Sequence, residues 1–168
     1  MSPELLFQLH LVLGYVAWLL CYRVYVWPRL KSMDPFEAQR ASATVHSFRF
    51  VGLVFILPGV VGPDLPASFA VFAAYGDFAT GVLAMLALLT ARLRPLFWLF
   101  VVAFNLVGVT DLILDYYHAV QSDVPARVGE LLGATYAIPV IYVPVLMITH
   151  VSAFYLLLRP QFRVARSY

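Results

Sequence analysis

The sequence predicts an all-α integral membrane bundle of five transmembrane helices plus a short interfacial helix. Three observations carry that expectation. Of 168 residues, 62% are hydrophobic and only 12% are charged, with a mean hydropathy of +0.86. Apolar runs recur near the length of about 20 helical residues that a bilayer core of about 30 Å requires. The basic residues gather in alternate connections between those runs. A soluble domain averages about 45–50% apolar and about 25% charged residues, so a soluble enzyme, a nucleic-acid binder and a disordered tail are set aside together. The net charge of +2 is too small to imply an anionic partner. Cys21 is the single cysteine, which excludes an internal disulfide and a cysteine-based zinc site.

The five spans are read in order. Leu5–Trp27 is the first, and the start Met-Ser-Pro-Glu lacks the basic region of a signal peptide, so this span is expected to be retained. Asp34-Pro35-Phe36-Glu37 then starts a helix, with an Asp N-cap, Pro at the first helical position and Glu closing a capping box. That helix is expected to run along the interface and turn into the second span, Val45–Val61. The second span is the weakest, because its uninterrupted apolar stretch is only Phe50–Val61. It must recruit Val45–Arg49 or cross a thinned region. Pro58-Gly59 and Gly62-Pro63 end it. Ala67–Ala91, Pro95–Ala119 and Ala134–Leu158 complete the set, with Gln121–Glu130 as a polar loop. No repeat or linker divides the chain, so residues 1–168 are expected to form one transmembrane domain.

Arg23, Arg29, Lys31, Arg40 and Arg49 lie between or at the ends of spans one and two. Arg92 and Arg94 lie between spans three and four, and Arg159, Arg163 and Arg166 follow span five. Arg127 stands alone on the other side. The positive-inside rule then puts the N-terminus outside and the C-terminus in the cytoplasm. An even number of spans would scatter the positives. Trp27, Trp98, Tyr116, Tyr117 and Tyr155 fall near span ends as an aromatic belt would.

Ionisable side chains inside a bilayer are costly and usually face a partner in the bundle interior. Arg49 and His46 fall near the inner end of span two, Asp77 and Asn105 at mid-depth of spans three and four, and His150 in the inner half of span five beside Thr149. Asp77 lies among Ala73, Gly81 and Ala84 at helical spacing, so another helix can approach it. Arg49 is its natural counter-charge. Arg49, Asp77, Asn105, His150 and His46 are therefore expected to form a polar intramembrane pocket. The competing reading is that they only hold the helices together.

Asp111, Asp115 and His118, spaced i, i+4, i+7, share one face of span four, with His10 at similar depth in span one. They read either as a divalent-metal site and outer vestibule or as solvated interface residues. The small residues Gly14, Ala17 and Cys21 continue the His10 face. The pairs His10/His118 and His46/His150 could alternatively hold a b-type haem by its axial positions. Pro139 and Pro144 kink span five, and the carbonyls they free must be satisfied by neighbours or line a cavity. No Walker loop, dinucleotide fingerprint or nucleophile elbow occurs, and no base stands near Cys21 to activate it.

Four short runs carry a resemblance: His46-Ser47-Phe48-Arg49-Phe50, Ala74-Tyr75-Gly76-Asp77, Asn105 through Leu112, and Val143 through His150. Through them spans two to five resemble an uncharacterised group of small bacterial inner-membrane proteins. The resemblance implies a bacterial multi-pass protein and carries over no catalytic or binding role.

The functional expectation is a protein that binds or translocates a small solute or ion through the polar pocket. Its alternatives are a haem- or metal-binding redox protein and a structural subunit of a membrane complex. An enzyme acting on a lipid or isoprenoid would have no dedicated motif here. The lipid bilayer is the expected partner, with a homo-oligomer or a larger complex completing any path and no nucleic acid involved.

Overall fold

The computed structural model describes residues 1–159; the expected cytoplasmic cations Arg163 and Arg166 lie outside the described residues. The elements of the described residues are all helical, in the order α1 (Pro3–Cys21), a π-helical turn (Tyr22–Val26), α2 (Trp27–Ser32), α3 (Pro35–His46), a 3-10 helix (Ser47–Ile56), α4 (Ala67–Leu89) and α5 (Arg94–Gln121). Then come a 3-10 turn (Val124–Arg127), α6 (Val128–Leu132), a second 3-10 turn (Gly133–Tyr136), a π-helical segment (Ile138–Tyr142) and α7 (Val143–Leu158).

Four helical stretches are long and apolar enough to cross a membrane: Pro3–Ser32, Ala67–Leu89, Arg94–Gln121 and Ile138–Leu158. The chain is thus an all-helical protein with the features of a membrane protein. The expected second span differs from these four. Val45 and His46 belong to α3, Ser47–Ile56 form a 3-10 helix of ten residues, well beyond the three or four residues such helices usually reach, and Leu57–Val61 leave the helix as a turn. The physical reason is visible in which residues are buried. Ala43, His46, Arg49, Gly52 and Phe55 recur every third residue and face the bundle. A stripe of period three stays on one face only if the backbone winds at three residues per turn.

The helix starting at Pro35 is also not a separate surface element. Asp34 caps it as expected, accepting from the backbone of Phe36 at 2.9 Å. It then runs unbroken into the 3-10 helix, burying Phe36, Ala38, Gln39, Ala43 and His46 against the bundle. At about 1.5 Å per α-helical and about 2.0 Å per 3-10 residue, the rod from Pro35 to Ile56 is about 38 Å long.

The expected polar loop Gln121–Glu130 is a folded cap. Asp123 turns the chain with a left-handed φ of 55°, and Val124, Val128, Leu131 and Leu132 are buried beneath it. Gly62 donates to the Leu131 carbonyl at 2.8 Å, which ties the loop before α4 to this cap.

α4 lies at the centre, against the 3-10 helix on one side and α5 on the other. Its buried face is Ala73, Ala74, Asp77, Thr80, Gly81, Ala84 and Ala87, small residues that let neighbouring backbones close in. At Gly81 a Cβ would lie 3.0 Å from the Phe50 amide nitrogen. α1 is peripheral, touching the segment Ile138–Tyr142, α7 and the cap. Gly14 abuts the Val140 carbonyl, which Pro144 cannot bond in the α-helical manner. One turn on, the Trp18 indole donates to the Ile141 carbonyl at 2.8 Å.

Two apolar clusters form the core. One holds Phe55, Phe69, Ala73, Val124 and Leu131 beneath the cap; the other holds Phe36, Ala84, Phe97, Val101 and Phe104 at the opposite end. At that opposite end Arg94 lies 3.4 Å over the Phe36 ring, with Arg40 at 5.6 Å. A polar layer separates the two clusters.

Candidate functional site

The polar layer is built around one side chain. Arg49 leaves the 3-10 helix fully buried. Its Nε donates to Asp77 Oδ1 on α4 at 2.5 Å, and its Nη2 to Asp111 Oδ2 on α5 at 2.5 Å. Its Nη1 reaches the Gly108 carbonyl at 3.1 Å and His150 Nε2 on α7 at 3.2 Å. Four helical segments are thereby joined through a single guanidinium, whose planar fork suits two carboxylates at once.

The donors and acceptors around it are mutually consistent. Arginine can only donate, so His150 Nε2 accepts and the imidazole is neutral with its proton on Nδ1. Nδ1 then donates to Asn105 Oδ1 at 2.9 Å. The Asn105 amide is held in that orientation by its own donation to the Val101 carbonyl at 2.8 Å. His46 stacks on His150 with ring centroids 3.8 Å apart. The Thr149 hydroxyl donates to backbone carbonyls of its own helix, so it accepts from His46 Nε2 at 3.1 Å. Gln39 extends the layer by donating to the Ala153 carbonyl at 2.9 Å.

Three glycines make the space. A Cβ at Gly52 would collide with Asp77, and one at Gly76 would collide with Asp111. At Gly108 it would stand 2.5 Å from His150 Nε2 and 2.7 Å from Arg49 Nη1.

The structure therefore brings together Arg49, Asp77, Asn105, His150 and His46. It adds Asp111, which sequence spacing had grouped with Asp115, His118 and His10. That second group is dispersed. His10 Nδ1 meets the Tyr136 hydroxyl at 2.5 Å, and His118 packs on Phe72 with centroids 4.9 Å apart. Among the described residues no three His, Cys, Asp or Glu side chains are gathered as metal ligands. The haem arrangement fits no better. The His46 and His150 rings lie face to face, and both nitrogens of His150 are engaged, by Arg49 and by Asn105.

The cap-side edge of the polar layer opens into a cavity of about 390 Å³. The walls are apolar, from Phe7 and Leu11 of α1, Phe55, Phe69 of α4, and Val143 and Met147 of α7. Pro139 lines it too, as a kinked helix beside a cavity would. The charged groups at its surface are Asp77 and Asp115. Tyr15 of α1 and Tyr116 of α5 line its mouth, where Ile113 and Tyr116 are exposed. A pocket of this size and mostly apolar lining matches those that hold small ligands. Sequence reasoning missed it, because its walls come from segments spread along the whole described chain, whose apolar residues look like any others in a membrane helix.

A family model described as Domain of unknown function (DUF8737) matches residues 6–158. No curated protein and no solved structure matches the chain.

Proposed function

The chain belongs to the DUF8737 domain family, and we propose that it is a membrane protein that binds a small, largely apolar solute in the cavity under its outer cap. The observation that carries this reading is the cavity itself: about 390 Å³, apolar on its sides and ended by Asp77 and Asp115. The Arg49 layer is the floor. It fixes Asp77 rigidly and orders the helices around the space. The opening beside Ile113 and Tyr116 lets a solute enter sideways from the lipid, and passage onward would make the protein a transporter.

The test uses 1-adamantanol as a compact neutral probe, titrated calorimetrically into protein-containing nanodiscs against empty ones. Saturable binding is expected, and Ala119→Trp, which fills the cavity at α5, should abolish it. Equal heats with and without protein would sink the reading.

The same proposal gives the chain five crossings of a bacterial inner membrane, acting alone or as a homo-oligomer. The rod from Pro35 to Ile56, about 38 Å long, exceeds a bilayer core of about 30 Å. Arg40, Arg92 and Arg94 share one end, while Arg127 sits with Asp64 and Glu130 at the other, so the basic end is cytoplasmic. In a Cys21→Ala background, Gln121→Cys should react with an impermeant maleimide added to intact cells and Arg92→Cys should not. Labelling of position 92 in place of 121 would reverse the orientation.

A further inference from the structure

We propose that the cavity selects a cationic amphiphile, an ammonium group on a compact apolar body, with the ammonium bound at Asp115 and Asp77. This rests on the binding reading above and names its ligand class.

The first argument is charge. Around the polar end of the cavity one arginine stands among three carboxylates, Asp77, Asp111 and Asp115, of which Asp77 and Asp115 line the cavity. Arg49 is already shared between Asp77 and Asp111. Asp115, one helical turn beyond Asp111, has no basic side chain within ion-pair distance among the described residues. The neighbouring histidines do not supply one, since His118 is against Phe72 and Tyr117 and His10 is against Tyr136. Among the described residues no Lys, Arg or His lines the cavity. A negative charge enclosed by apolar walls is expensive unless a positive one comes to it. An anionic ligand would add to the imbalance.

The second argument is hydrogen-bond polarity. Asp115, which lines the cavity, has its Oδ1 buried without a partner. That oxygen is an acceptor, so the complementary ligand group is a donor, and an ammonium offers up to three. The lining contributes few donors of its own, chiefly the Tyr15 and Tyr116 hydroxyls at the mouth.

The third argument is the path. A cation entering between α1 and α5 passes Tyr15 and Tyr116, and aromatic faces attract ammonium groups more strongly as water is removed. The apolar walls beyond them take the hydrocarbon body.

The test compares 1-adamantylammonium with 1-adamantanol in nanodiscs, by calorimetry against empty discs. The two probes share one body and differ in charge. On the wild-type chain the ammonium should bind at least about tenfold more tightly. Asp115→Asn should bring the two affinities to within about twofold. Comparable affinities on the wild-type chain would overturn the cation assignment and leave the solute-binding reading intact. An ammonium preference that survives Asp115→Asn would overturn the role given to Asp115. Binding of neither probe would overturn both readings. The wild-type comparison needs no variant, so a failure of Asp115→Asn to fold leaves it decisive.

Discussion

Arg49→Leu is expected to cost the folded state about 3–5 kcal/mol, the range found when one partner of a buried ion pair is removed. The substitution leaves Asp77 and Asp111 facing each other in a layer sealed from solvent, and it strips the Gly108 carbonyl and His150 Nε2 of their donor. Arg49→Lys should recover only part of the loss. A lysine brings the charge but has no fork, and cannot meet two carboxylates on different helices while also reaching α7. Thermal unfolding in detergent, followed by circular dichroism, measures the difference. A stable, cooperatively unfolding Arg49→Leu protein would mean that the guanidinium does not hold the four segments together.

Gly108→Ala should destabilise by about 1–3 kcal/mol, as overpacking of a close-packed core does. The added methyl would stand 2.5 Å from His150 Nε2 and 2.7 Å from Arg49 Nη1, and neither group can retreat. The imidazole is fixed between Asn105 and His46, and the guanidinium between two aspartates. Gly129→Ala is the matched control. A Cβ there meets nothing within 4 Å, so stability should be unchanged or slightly raised by the better helix propensity of alanine. The same melting experiment reads both, and equal effects at the two positions would contradict the packing argument.

Much of the fold was legible in the sequence. Four apolar stretches long enough to span a membrane lie close to where hydropathy puts them, and the cap at Asp34 follows from its residues. The second span was legible only as an apolar run. Period 3.6 and period 2 are the two patterns ordinarily sought, and a stripe of Ala43, His46, Arg49, Gly52 and Phe55 obeys neither. The segment Gln121–Glu130 read as a loop because its charges mask two apolar residues, Val124 and Val128, that turn inward.

At the site, depth counting singled out Arg49, Asp77, Asn105 and His150, because few polar residues occur at mid-membrane and each needs a partner. Asp111 was misgrouped for a specific reason. Asp111, Asp115 and His118 do share a face, but a helix face extends along the membrane normal and its successive turns meet different neighbours. Asp111 meets Arg49, Asp115 meets the cavity, and His118 meets Phe72. The signal that could have separated them is glycine. Gly108 stands one turn before Asp111, and Gly76 stands opposite it.

The helix of period three also links two parts of the molecule mechanically. Arg49 is clamped in its first turn, and Phe55 projects from the same face into the cavity wall two turns later. Rewinding those six residues as an ordinary α-helix would draw Phe55 about 3 Å closer along the axis and swing it by about 120° around it. The segment is a ruler with no slack, and the distance from the guanidinium to the binding space is set by its winding rather than by side-chain adjustment.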